Sequence, residues 1–336
     1  MLAAAVIGLG YWGPNLARNF ASSPRTELRW LCDQDQDRLS TLSSRYPSAS
    51  TTTDSEDLFH DPSLDIVAIA TPVATHYALA KRALHAGKHV LVEKPLASGS
   101  IEAAELIDLA AERNLVLLVD HVFLYSPSVQ KMGELCRSGG IGDIRFIDSV
   151  RINLGLIQND VNVLWDLAPH DLSIIDSLLG REPESVVALG ESHVANGTVD
   201  VSYLHLDYGE VKAAVHLNWL SPVKIRHFMV GGSEKSILYN DLDRSESIKV
   251  YDRGVRVDAE PANRRGLLVS YRSGDVLSPR LDAFEPLMQM VSHLADCIEN
   301  GATPISGGEQ GLRVVRILEA ADQSLAQDGA RISVSK

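Results

Sequence analysis

The chain has 336 residues, 45% apolar and 22% charged, with 31 Lys and Arg against 44 Asp and Glu and a formal net charge of -13. At about 150 residues per domain this length predicts two domains, and an acidic balance without any basic block argues against a nucleic-acid partner. No apolar run is long enough to span a membrane, and the opening Met-Leu-Ala-Ala-Ala-Val-Ile lacks the positive start of a signal peptide, so a cytoplasmic protein is expected. Cys32, Cys136 and Cys297 are odd in number, far apart and outside any Cys/His metal spacing, so they read as buried free thiols and no metal site is expected.

Residues 3–7 predict a short apolar strand, followed at once by Gly8-Leu-Gly10-Tyr11-Trp12-Gly13-Pro14. Such glycines permit a tight turn and close approach of backbone to a pyrophosphate, and Pro14 suits the first turn of a helix over 15–21 whose N-terminus faces the anion. A lone Gly-x-Gly-x-x-Gly is weak evidence. Here a second strand, 28–32, ends in Asp33 about 20 residues on, where a dinucleotide fingerprint places an acid against the adenosine ribose hydroxyls. That acid would repel a 2′-phosphate, so NAD is expected over NADP, with Arg38 the residue that could weaken the preference. The structural alternative makes Asp33 the cap of a helix over 35–45.

A strand over 64–70 and a helix over 74–86 are joined by Thr71-Pro72-Val-Ala-Thr75-His76, a loop over which a cofactor ribose or nicotinamide could lie; His76 could equally be an exposed first-turn histidine. Then comes His89-Val-Leu-Val-Glu93-Lys94-Pro95-Leu96, whose apolar run predicts a buried parallel strand. Pro95 should end it and hold Lys94 at the carboxyl edge, where ligands of open α/β sheets bind. A helix over 100–113 and a strand over 115–119 complete a doubly wound parallel sheet, giving a nucleotide-binding domain at 1–121.

From 122 to 336 the pattern changes to an α+β domain with a large, mainly antiparallel open sheet. After a helix over 127–136 and a strand over 144–153 stands Asn159-Asp-Val-Asn162-Val-Leu-Trp165-Asp166-Leu-Ala-Pro169-His170-Asp171. One helical turn would put Asp166 and His170 on one face, with Pro169 tolerated only if the helix starts within a turn before it. Asp166 could then orient the imidazole while His170 faces a ligand; the alternative is an N-capping Asp166 and a packed histidine. Asp171 reads as a helix-start acid. Strands are expected over 184–191, 200–206, 211–218, 224–230, 235–239 and 247–251, then helices over 284–299 and 308–327. Alternation over 201–206 and 211–217 puts apolar side chains on both faces of this sheet.

With these motifs in place, the chain resembles the glucose-fructose oxidoreductase and inositol dehydrogenase (Gfo/Idh/MocA) family over essentially its full length. The resemblance rests on Gly8-Leu-Gly-Tyr-Trp-Gly-Pro-Asn15, Thr71-Pro72 with His76, 86–95 ending in Glu93-Lys94-Pro95, and Asp166-Leu-Ala-Pro-His170. It implies catalytic roles for Lys94, Asp166 and His170, and NAD held by Gly8, Gly10, Tyr11, Trp12, Gly13, Asp33, Arg38, Thr71, Pro72, His76, Glu93 and Lys94. Arg151, Asn153 and Asn162 are polar candidates for substrate. The wording of the glycine loop, of 153–157 and of 274–282 is similar to members tied to nucleotide sugars and surface-polysaccharide biosynthesis, which implies a nucleotide-sugar dehydrogenase acting at C3. A free-sugar or cyclitol dehydrogenase, a ketosugar reductase and a non-catalytic NAD sensor are the other readings. Relatives pair their second-domain sheets face to face, which implies a homodimer or homotetramer.

Overall fold

The computed structural model describes residues 1–155, 157, 161–194, 197–258 and 268–334; Leu156, Asn159 and Asp160 of the stretches quoted above lie outside them. The chain divides into two compact units, Met1–Ser126 with Phe284–Glu319, and Pro127–Ala283 with Ala320–Lys336.

The first unit alternates β1 (Leu2–Ile7), α1 (Gly13–Ser22), β2 (Thr26–Cys32), α2 (Gln36–Ser43), β3 (Ser50–Thr52), α3 (Glu56–His60), β4 (Ile66–Ile69), α4 (His76–His85), β5 (His89–Glu93), α5 (Ser100–Glu112) and β6 (Leu117–Asp120). Its six strands lie in the order β3-β2-β1-β4-β5-β6, every neighbouring pair parallel. Ala4, Val6, Ile66, Val67, Ile69, Val90, Leu91 and Val92 have no solvent exposure, as strands covered on both faces require. The N-cap of α2 is Asp35, whose carboxylate accepts hydrogen bonds from Asp37 and Arg38 N–H. Asp33 is thereby released from the capping role the sequence left open to it.

The second unit contains α6 (Pro127–Arg137), β7 (Ile144–Leu154), α7 (Val163–Leu179), β8 (Ser185–Glu191), β9 (Val201–Tyr208), β10 (Val211–Asn218), β11 (Leu220–Gly232), β12 (Ser236–Asn240), β13 (Ile248–Asp258) and β14 (Leu268–Leu277). The chain closes with α8 (Pro286–Asn300), α9 (Gly308–Leu325) and β15 (Ile332–Ser333). Among the described residues the second sheet has nine strands, ordered β14-β13-β12-β11-β7-β10-β9-β8-β15. All its pairs are antiparallel except β10 with β7. One face buries Val186, Ala188, Leu204, Leu206, Ala213, Val215 and Leu217, whereas Phe146, Leu189 and Tyr203 on the other remain 40%, 51% and 46% exposed. Strands β14 and β15 are absent from the sequence expectation; β14 reads Leu-Val-Ser-Tyr-Arg-Ser-Gly-Asp-Val-Leu, with no clean two-residue alternation to reveal it.

The structure departs from a single domain over 122–336, because 284–319 packs with the first unit. Strand β6 is the edge of the parallel sheet, and its exposed backbone takes a partner: Val119 N–H donates to Ser306 C=O at 2.8 Å, and Leu118 bridges Gly307. A Cβ on Gly311 would lie 2.8 Å from a Val119 methyl and 3.2 Å from Leu96, so the glycine allows α9 to close over that edge. Arg25, paired with Asp296 and Glu299 of α8, adds to the same attachment.

Helix α7 deserves the closest account, since it carries Asp166 and His170. Asn162 caps it, its Oδ1 accepting from Leu164 and Trp165 N–H at 3.0 and 3.1 Å. Asp166 is therefore not the cap. Pro169 lies inside the helix, more than a turn from its start, contrary to the sequence expectation, and its ring removes one intrahelical N–H donor and crowds the preceding turn. Asp171, expected at a helix start, instead sits in the helix interior and accepts two hydrogen bonds from Arg151 of β7, from Nε at 2.7 Å and Nη2 at 3.0 Å. Arg151 and Asp171 are 4% and 2% exposed.

A buried ion pair that loses one member leaves an uncompensated charge, so Arg151→Met alone should cost about 3–5 kcal/mol, while Arg151→Met with Asp171→Leu should cost much less. Denaturant midpoints of the three proteins measure this, and equal losses in the single and double variants would count against the account.

Candidate active site

Strand β1 delivers Gly8 at its carboxyl end with φ at +90°, the left-handed region glycine tolerates. A Cβ there would lie 2.6 Å from the Ala70 carbonyl oxygen, and one on Gly13 only 1.9 Å from that of Gly8. The loop is thus closed so tightly that a side chain is excluded at Gly8 and at Gly13, and α1 begins at its end with Pro14 in the first turn. Asp33, one residue beyond β2, accepts a hydrogen bond from Leu9 N–H at 2.6 Å and one from Asp35 N–H at 2.8 Å. A carboxylate has further lone pairs, so those contacts leave it able to accept ribose hydroxyls. Arg38 approaches Asp33 at 3.7 Å and Asp35 at 3.3 Å and lies 3.6 Å from where a Gly10 Cβ would stand. Glycine cradle, helix start and acid at the end of β2 together fit a bound dinucleotide.

Thr71 follows β4 and packs its methyl against Gly8, while its hydroxyl lies 2.6 Å from that of Thr75; Pro72 is exposed. His76 is the first residue of α4 and is 1% exposed, so it is not the exposed first-turn histidine of the alternative reading. Its Nδ1 lies 2.8 Å from the Pro95 carbonyl and its Nε2 2.9 Å from that of Thr71. The ring therefore ties the Thr-Pro loop to the Glu-Lys-Pro loop. Glu93 ends β5, Lys94 is half-buried directly after it, and the Lys94–Pro95 peptide is cis. Tyr11 is 83% exposed, but Trp12 turns inward and donates its indole N–H to Asp120 at the end of β6.

In the second unit, Asp166 and His170 occupy successive turns of α7 and both are partly exposed. Trp219 Nε1 donates to Asp166 Oδ2 at 3.0 Å and so fixes the carboxylate. The backbone of Trp219 is itself held, its N–H donating to Asp200 C=O at 3.0 Å and its C=O accepting from Gly155 at 2.9 Å. Of the expected substrate contacts, Arg151 is committed to Asp171 and Asn162 to the cap of α7 and to Asp322, which it meets at 3.1 Å. Asn153 is half-buried on β7.

Sequence reasoning missed Trp219, Asp322, Asp120 and His121. The last pair was detectable, since two ionisable residues following an apolar strand repeat the pattern of Glu93-Lys94. Among the described residues no helix is long and apolar enough to cross a membrane, and no cluster of metal-ligating side chains occurs. All three thiols are free, Cys32 and Cys297 buried and Cys136 only partly so.

Comparison with known proteins follows this geometry. Residues 2–121 match the model of an oxidoreductase family with an NAD-binding Rossmann fold, and residues 129–238 match that of the GFO/IDH/MocA C-terminal domain. The chain is 31% identical over 213 residues to UDP-N-acetylglucosamine 3-dehydrogenase of Acidithiobacillus ferrooxidans, covering 61% of this chain and 64% of that protein. To a scyllo-inositol 2-dehydrogenase (NADP(+)) of Bacillus subtilis it is 25% identical, covering 83% and 82%. A crystal structure of an oxidoreductase from Magnetospirillum magnetotacticum superposes with a TM-score of 0.81 at 28% identity, over 95% of this chain and 99% of that one. With both halves matched and the dinucleotide cradle in place, the chain belongs to the Gfo/Idh/MocA family of NAD-binding oxidoreductases.

Proposed function

We propose that this oxidoreductase transfers a hydride between NAD and a secondary ring hydroxyl of a sugar, with a nucleotide sugar oxidised at C3 as the first choice. The observation that carries the reading is the retention of Lys94 at the carboxyl end of β5 together with Asp166 and His170 one turn apart on α7. The 31% identity to a nucleotide-sugar 3-dehydrogenase supports the substrate class. A cyclitol is the second reading, favoured by the longer match to the scyllo-inositol enzyme. The second unit is the proposed substrate-binding part.

In the oxidative direction His170 takes the hydroxyl proton, Asp166 orients and charge-stabilises the imidazole, and the Lys94 ammonium hydrogen-bonds the developing alkoxide. When bound, NAD supplies the hydride acceptor at nicotinamide C4. Lys94→Ala and His170→Ala should each lower turnover by about a hundredfold or more with NADH affinity nearly unchanged. A panel of nucleotide sugars, free sugars and cyclitols followed at the NADH absorbance identifies the substrate; wild-type turnover in either variant would remove that residue from the mechanism, and no turnover by the intact protein would favour a sensor.

Asp33 sets the proposed cofactor preference. A 2′-phosphate would meet its carboxylate, so NAD(H) should bind at least tenfold tighter than NADP(H), about 1.4 kcal/mol. Asp33→Ala should narrow the gap, because Arg38 remains beside the vacated position. Calorimetry with both dinucleotides decides the matter, and equal affinities in the unaltered protein would end the assignment.

The mixed outer face of the second sheet, with Phe146, Leu189 and Tyr203 exposed and Tyr203 stacked on His216 at 4.4 Å, supports a homodimer or homotetramer joined through it. Light scattering on a dilution series should find more than one chain per particle, and Tyr203→Asp with Phe146→Glu should dissociate it; a monomer at micromolar concentration would contradict the proposal.

A further inference from the structure

Trp12 occupies the N-cap position of α1, where a side-chain oxygen ordinarily accepts from the first-turn amides. An indole has no acceptor, and Trp12 makes no such bond; only its carbonyl serves the helix, accepting from Asn15 and Leu16 N–H at 2.8 and 3.4 Å. Its side chain instead donates to Oδ2 of Asp120, the last residue of β6. Strands β1 and β6 are separated in the sheet by β4 and β5, so this bond joins strand ends about 14 Å apart along the carboxyl edge, at about 4.8 Å per neighbouring pair. Asp120 is 1% exposed, and its Oδ1 has no hydrogen-bond partner among the described residues. Burial pushes the Asp120 carboxyl up and the Trp12 hydrogen bond draws it down. A loop turned out to solvent would satisfy the indole with water and need no buried carboxylate, so the pair specifies one position of the loop rather than adding stability.

We propose that Asp120 is a positioning residue for the cofactor: by holding the Trp12 indole, it fixes the glycine loop and the start of α1 in the form that receives the NAD pyrophosphate. The inference rests on NAD binding and on the cradle described above, and not on the roles proposed for Lys94, Asp166 and His170. The route from indole to cradle is one residue long. Trp12 stands directly before Gly13, which packs on Gly8 so closely that a Cβ would lie 1.9 Å from the Gly8 carbonyl oxygen. A displaced Trp12 therefore opens the turn that approaches the pyrophosphate. Asp33 holds the other end of the loop through Leu9 N–H, so the two carboxylates fix its entry and its exit separately. A loop already held in its bound form spares the ligand the cost of ordering it.

Calorimetry on the cofactor-free protein, with NADH and with ADP-ribose, which lacks the nicotinamide, tests this without any substrate. Trp12→Phe keeps an aromatic ring but removes the N–H, and Asp120→Ala removes the acceptor. Each should weaken both ligands at least fivefold, and the double variant should stay within twofold of the weaker single one, because the two residues act through one bond. Asp120→Asn, whose side-chain oxygen still accepts from the indole, should bind both ligands within threefold of the unaltered protein. Hydrogen exchange reads the loop itself: in the cofactor-free protein, peptides covering 8–16 should exchange at least threefold faster in either single variant, while those covering β5 keep their rate. Where Asp120→Ala does not fold, Trp12→Phe carries the same two measurements and leaves the sheet edge unaltered. Losses that multiply in the double variant, or unchanged exchange over 8–16 in a folded variant, overturn the proposal. Weaker NADH with unaltered ADP-ribose also overturns it, since the indole would then act at the nicotinamide. None of these outcomes depends on whether a sugar is turned over.

Discussion

The parallel register of the first sheet is the constraint on which its carboxyl edge depends. Ile7 pairs with Cys32 and Ile69, Ile69 with Val92, and Val92 with Val119, so one row of buried residues crosses five strands. The residues that follow that row are Gly8, Asp33, Ala70 with Thr71, Glu93 with Lys94, and Asp120 with His121. Chemistry drawn from positions 8 to 121 is thereby gathered at one edge. A slip of one residue would turn each apolar side chain to the opposite face, and strands this fully buried resist it strongly.

Cross-links then fix individual groups along this edge. Asp33 reaches back to Leu9, His76 spans the carbonyls of Thr71 and Pro95, and Trp12 reaches Asp120. Each connects the end of one strand to the loop after another. The glycine loop is consequently more than a phosphate cradle, since through Asp33 and Asp120 it is bound to the carboxyl ends of β2 and β6.

Helix α7 solves a different problem, that of holding Asp166 and His170 on an element interrupted by Pro169. Its cap, Asn162, and the first-turn Trp165 both reach Asp322, and its middle is pinned by Arg151 to Asp171. Desolvation makes a buried ion pair a poor source of net stability, but a misplaced helix would leave both charges unpaired, so the pair disfavours other registers. Trp219 then orients Asp166 from the strand side.

By itself the sequence determined the doubly wound first sheet, the glycine loop with its acid, the strand that ends at Glu93-Lys94 and the mainly antiparallel second sheet. These are local patterns: an apolar run, a glycine spacing and an alternation each report the element in which they occur. Asp166 and His170 share a helix face for the same reason, because a spacing of four is set by helical geometry alone. What only the tertiary structure decided concerns partners distant in the chain. Arg151 reads as a substrate contact until Asp171 faces it, Asn162 until it caps α7, and His76 as either a cofactor-site or an exposed histidine until two carbonyls enclose it. Residues 284–319 likewise join the first unit because the open edge of β6 needs Ser306, a pairing no local pattern encodes. Burial and hydrogen-bond satisfaction are properties of the assembled chain, and they are what distinguish a binding side chain from a structural one.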